Sequence, residues 1–110
     1  AFVSDDARKA YLTPPDKRDP PQKWETEYDW DEKTSKLKYA QCKQTWCGNE
    51  ELFYCHWVAK SEQDVYRQLE ESNLEGKIVN SMVQEVHQFV SAYRNSKEIL
   101  RQYPEDGDKW

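Results

Sequence analysis

Residues 23–60 read KWETEYDWDEKTSKLKYAQCKQTWCGNEELFYCHWVAK and hold four of the five tryptophans and all three cysteines. Trp24, Thr26, Tyr28 and Trp30 alternate with Glu25, Glu27 and Asp29, the period-two pattern of a half-buried strand. Asp31 to Ser35 reads as a turn, after which Leu37 and Tyr39 oppose Lys36 and Lys38 on a second strand. Parity slips between Ala40 and Lys43, and a β-bulge would account for the switch. Cys47-Gly48-Asn49-Glu50 supplies the next turn. A third strand over 51–59 is apolar on both faces, which marks it as the central one. The stretch therefore predicts a three-stranded antiparallel meander.

Downstream, the spacing changes. Ser61-Glu62-Gln63-Asp64 is a near capping box, and Val65, Tyr66 and Leu69 form the stripe of a helix that Gly76 closes. A longer helix is expected from Ile78 to Tyr103, stopped by Pro104, with Met82, Val83, Val86, Phe89 and Val90 on its apolar face. Upstream, Phe2-Val3 could dock as a fourth strand. Two Pro-Pro pairs between Tyr11 and Gln22 favour an extended surface strap. The fold class expected is α+β: a three- to four-stranded antiparallel sheet followed by two C-terminal helices packed on one face. Residues 1–22 form an extended Pro-rich arm, 23–103 a single domain and 104–110 an acidic tail.

With 110 residues, the chain suits one modest core. Its 36% hydrophobic and 34% charged composition would suggest disorder if uniform, but the apolar residues concentrate between Trp24 and Tyr103. A net charge of −5 sets the mean field against polyanions, so nucleic acid is disfavoured as a partner. Lys33, Lys36, Lys38 and Lys43 could form a local basic strip, though such lysines usually decorate a hairpin. No run approaches a membrane span. The chain begins at Ala1 and is expected to be a processed product; Lys17-Arg18 in the exposed strap is a dibasic pair that a protease could cut.

No catalytic residues are assigned. Cys55 and His56 adjoin on a strand and so point to opposite faces, which prevents a nucleophile–base pair. His87 reads as a structural residue flanking the helix stripe. Glu25, Glu27 and Asp29 share a polar face, where a solvated acidic stripe is expected rather than a glycosidase pair. Three glycines cannot build a phosphate loop. Cys42, Cys47 and Cys55 lack the CxxC knuckle spacing of zinc sites, so neither metal nor cofactor is expected. They suit one disulfide, Cys42–Cys55 or Cys47–Cys55, plus a free thiol; three buried thiols in a reducing compartment are the alternative.

Trp24, Trp30, Trp46 and Trp57 cannot all be interior if helices cover only one face of the sheet. Exposed aromatic area on a rigid sheet suits recognition. The expectation is a small, secreted, non-enzymatic binding protein, effector- or inhibitor-like, that meets a protein partner through Trp30, Trp46 and Trp57 with Tyr28, Glu27 and Asp29 beside them. The acidic rim favours a basic partner. The alternatives are a carbohydrate or small-ligand module using the same tryptophans, and an intracellular adaptor with reduced cysteines.

Overall fold

A computed structural model describes residues 1–103 and 105–106. Helix α1 (Asp5–Tyr11) comes first, capped by Ser4, whose hydroxyl accepts from the Ala7 N–H at 3.0 Å. A 3-10 turn (Pro15–Lys17) follows. Helix α2 (Glu27–Ser35) precedes a hairpin of β1 (Ala40–Cys47) and β2 (Phe53–Ala59), and α3 (Glu62–Glu71) closes the order. The arm over 1–22 is thus partly helical rather than extended throughout. The expected acidic tail over 104–110 lies largely outside the described residues.

The expected meander is corrected to a two-stranded antiparallel sheet with a helix before it. The missing first strand is α2. Thr26 Oγ1 accepts from the Asp29 N–H and the Asp29 carboxylate accepts from the Thr26 N–H, both at 3.1 Å. This capping box satisfies orphan donors at both residues, with Glu27 and Asp29 at the positive helix end and Lys33 in the last turn. Alternation over 24–30 is therefore incidental. Among the side chains of α2, only Thr34 is buried.

The hairpin follows the sequence more closely. Cys47 pairs with Phe53, Trp46 with Tyr54, Thr45 with Cys55 and Gln44 with His56; the register then slips at Lys43, so that Cys42 pairs with Trp57 and Ala40 with Ala59. The bulge falls where the parity breaks in the sequence. Because β2 has one neighbour, it is an outer strand and not a central one. Its two apolar faces have different fates, one covered and one open.

Helix α3 begins at Ser61, whose hydroxyl accepts from the Asp64 N–H at 3.2 Å. It buries Val65, Gln68 and Leu69. Val65 and Leu69 pack with Ala40, and Trp57, Leu74 and Val83 close around them. Gln68 serves as a polar strut, accepting from the Tyr39 N–H at 2.9 Å. The helix stops earlier than expected: Asn73 takes the left-handed conformation (φ 59°), and the Leu74 N–H closes on Leu69 O at 2.9 Å. Gly76 (φ 77°) instead shapes the following turn, where its N–H donates to Val79 O at 2.7 Å.

The second C-terminal helix is also corrected: among the described residues no helix follows Glu71. Val79 is buried and bridges to both Phe2 and Glu75. Beyond it the chain runs back along α3, held by the Tyr66 hydroxyl, which donates to Ser81 O at 3.3 Å and accepts from the Val83 N–H at 3.1 Å. The Glu85 N–H then donates to Glu62 Oε1 at 3.0 Å. Of the expected stripe, Val83 reaches the core, whereas Met82, Val86, Phe89 and Val90 are exposed. The face that α3 and the N-terminal segment cover has room for Val83 alone, and an amphipathic helix draws most of its stability from tertiary packing, which the rest of this stripe does not make. The frequent β-branched residues of 78–90 add a small penalty.

Candidate functional site

The two faces of the hairpin carry different chemistry. On the covered face lie Cys42, Thr45 and Cys47 of β1 with Phe53, Cys55 and Trp57 of β2. At the Ala40 end, α3 seals this face through Trp57. At the loop end, Phe2 stacks on Phe53 with ring centroids 4.6 Å apart, and Tyr11 lies 5.4 Å from Phe2 and 6.1 Å from Phe53. Backbone bonds hold the N-terminal segment there: the Phe2 N–H donates to Glu51 O at 3.0 Å and the Val3 N–H to Ile78 O at 2.9 Å.

The opposite face presents Gln41, Gln44 and Trp46 of β1 with Tyr54, His56 and Val58 of β2. Trp46 is 53% exposed, its cross-strand partner Tyr54 67% and Val58 52%. His56 Nδ1 donates to Gln44 Oε1 at 3.3 Å in the tautomer that pair implies, which fills the middle of the face with a polar bridge. Aromatic area of this kind, carried on a backbone ladder, is unburied contact surface.

The predicted site residues do not share one surface. Trp46 alone occupies the open face. Trp57 faces the other way and packs on the core. Glu27, Tyr28, Asp29 and Trp30 belong to α2, where Tyr28 is 70% exposed and Trp30 half-buried. The Asp29 carboxylate is engaged by the helix cap. The Thr26 backbone N–H, then its hydroxyl, hold its carboxyl below the usual aspartate range. Beside Trp24, α2 also lines a shallow open depression of mixed charge, with Glu25, Glu32 and Lys36. Sequence reasoning missed Tyr54 and Val58 as site residues. Their alternation with Cys55 and Trp57 was readable, but a central strand would have hidden both.

α2 is attached to the hairpin by one buried side chain. Thr34 Oγ1 donates to Cys42 O and accepts from the Cys42 N–H, each at 2.8 Å. These backbone groups point away from β2, and the hydroxyl replaces the missing strand along that edge.

All three cysteines are free thiols; the expected disulfide is not formed here. Cys42 is buried, while Cys47 and Cys55 are exposed. The Cys42 thiol donates to the Gln44 carbonyl at 3.5 Å. Thr45 Oγ1 accepts from the Cys55 thiol at 3.5 Å and lies 3.7 Å from Cys47 Sγ. The hydrogen bond from Cys42, helped by Thr45, lowers the Cys55 thiol to about 6 against the opposing effect of desolvation. The same hydrogen bond, with burial, pushes Cys42 up. Desolvation raises the Tyr11 phenol, and charge on Cys47, Cys55 and Cys42 raises it further.

Among the described residues no group of three or more His, Cys, Asp or Glu side chains is disposed to hold a metal, and no helix is long and apolar enough to cross a membrane. Comparison with known proteins finds no matching family model, no matching curated protein and no matching solved structure.

Proposed function

We propose that this chain is a non-enzymatic recognition protein, exported and effector- or inhibitor-like, that binds a protein partner through the open face of its hairpin. The observation that carries the reading is the directly paired, exposed Trp46 and Tyr54, with Val58 two register positions beyond His56 on the same face. The ladder behind them and α3 on the opposite side keep the rings in place, so binding needs little ordering of the surface. Each ring offers about 150–250 Å² for burial. A net charge of −5 favours encounter with a basic surface, and the association rate should fall with added salt.

The test is a capture experiment from the native source, comparing wild type with a Trp46→Ala, Tyr54→Ala pair. Loss of a hot-spot ring costs about 2 kcal/mol or more, roughly a 30-fold weaker partner signal for each ring. Both variants should unfold within about 1 kcal/mol of wild type, since surface substitutions cost little. Trp57→Ala, by contrast, should cost about 3 kcal/mol because its ring closes the core. Undiminished capture by the double variant would overturn the reading. Quenching of tryptophan emission by an oligosaccharide panel would redirect it to a glycan ligand, and three free thiols in material freshly isolated from the native source would count against export.

A further inference from the structure

The covered face of the hairpin carries three sulfurs that the recognition surface does not use, and they are not equivalent. Cys42 and Cys55 lie diagonally across the bulge on the same face: Cys42 pairs with Trp57, two residues beyond Cys55. Each of these two sulfurs shifts the titration of the other. Cys47 sits on the other diagonal, its sulfur 3.7 Å from the Thr45 hydroxyl that accepts from Cys55. Cys55 is exposed and its thiol donates to Thr45 Oγ1 at 3.5 Å, whereas Cys42 is buried and its thiol is pushed up by Cys55 and by desolvation. An accessible nucleophile next to a sheltered second thiol is the division of labour that thiol–disulfide exchange requires.

We infer that Cys55 and Cys42 form a redox couple, in which Cys55 attacks a low-molecular-weight disulfide of the glutathione type and Cys42 resolves the product into an intrachain bridge. In the first step the Cys55 thiolate forms a bond to one sulfur of the small disulfide and expels the other as a thiolate. In the second step Cys42 gives up its proton, attacks Cys55 Sγ and expels the second small thiolate. The two released thiolates take up the protons that Cys55 and Cys42 lost. The balance is one protein dithiol plus one small disulfide giving one protein disulfide plus two small thiols. Cys47 stays reduced, its sulfur engaging the Thr45 hydroxyl at 3.7 Å. The couple lies on the opposite side of the sheet from Trp46 and Tyr54, and its test is independent of any partner.

Trypsin makes the pairing readable. Cleavage after Lys38, Lys43 and Lys60 puts Cys42 in peptide 39–43 and both Cys47 and Cys55 in peptide 44–60. The reduced full-length chain is treated with oxidised glutathione at pH 7, quenched with acid, digested and sequenced by mass spectrometry. The expected product joins the two peptides, with fragmentation placing the bond at Cys55, and Cys47→Ser forms it equally well. In Cys42→Ala, mono-glutathionylated Cys55 should persist at least 10-fold longer than in wild type. Because that substitution alters a buried site, a measurement on wild type stands beside it. With limiting iodoacetamide, Cys55 should outpace Cys47, and its rate should reach half-maximum near pH 6 rather than at the ordinary thiol value of about 8.5. A bond confined to peptide 44–60, glutathione retained on Cys47 with Cys55 unmodified, or equal alkylation of the two exposed thiols would each overturn the assignment.

Discussion

Replacing Thr34 by valine tests the attachment of α2 to the hairpin. Valine keeps the shape and the branched Cβ of threonine but has no hydroxyl, so it strands two backbone groups at once. The Cys42 N–H and C=O both lose their partner at 2.8 Å, in a place the structure keeps from water. A buried backbone group left unpaired costs about 1–3 kcal/mol, and relaxation toward water brings the pair to roughly 2–4 kcal/mol. Thr34→Ser is the control, since it keeps the hydroxyl and loses one methyl, at about 1 kcal/mol. For a domain with total stability near the low end of 5–15 kcal/mol, the valine variant should lose a large share of it. In thermal unfolding at about 4–8 °C per kcal/mol, the difference between the two variants should exceed roughly 5 °C. Urea titration followed by far-UV circular dichroism gives the free energies directly. A valine variant as stable as wild type, or a serine variant less stable than the valine one, would refute the view that this hydroxyl stands in for a strand.

The α2 cap predicts a pH response with a definite sign. Asp29 has a folded-state pKa below its unfolded value, so its contribution is present above the ordinary aspartate range near 3.9 and is lost as pH falls through the lower folded value. Carboxyl carbon shifts followed by NMR should give an Asp29 midpoint below that range, rising toward it in Thr26→Ala, which also costs about 1 kcal/mol through the lost cap. At Gly76 an added Cβ meets no atom within 4 Å, but φ is +77°. Gly76→Ala should therefore cost about 1 kcal/mol through backbone strain alone, and Gly76→Asn less, as measured by urea unfolding.

What the sequence conveyed depended on whether the local signal had a rival. Ser61-Glu62-Gln63-Asp64 stood before an apolar stripe with no competing period, so the start of α3 was legible. Thr26-Glu27-Tyr28-Asp29 has the same cap spacing, yet Trp24, Tyr28 and Trp30 at alternating parity offered a strand, and the cap went unread. The hairpin bulge was visible because parity breaks between Ala40 and Lys43. The fate of 78–103 was not, because its stripe is genuine helical spacing whose outcome rests on whether a free surface remains to receive it. The same holds for the tryptophans. Composition and alternation lead to the expectation that some are exposed, but the sorting of Trp46 outward and Trp57 inward follows from α3 choosing one side of the ladder. The face that carries the three cysteines had a readable part, the hairpin register, and an unreadable one, the return of Phe2 and Tyr11 onto Phe53.

That return has a kinetic consequence. Hydrogen bonds from Phe2 to Glu51 and from Val3 to Ile78 close loops of about fifty and seventy-five residues, whereas the strands meet across a five-residue turn. Loop closure grows dearer with length, so the ladder and α3 assemble before the N-terminal clasp engages. Contacts made after the rate-limiting barrier govern how slowly a native molecule opens rather than how quickly it forms. Phe2 thus acts as a latch on the lifetime of the folded chain.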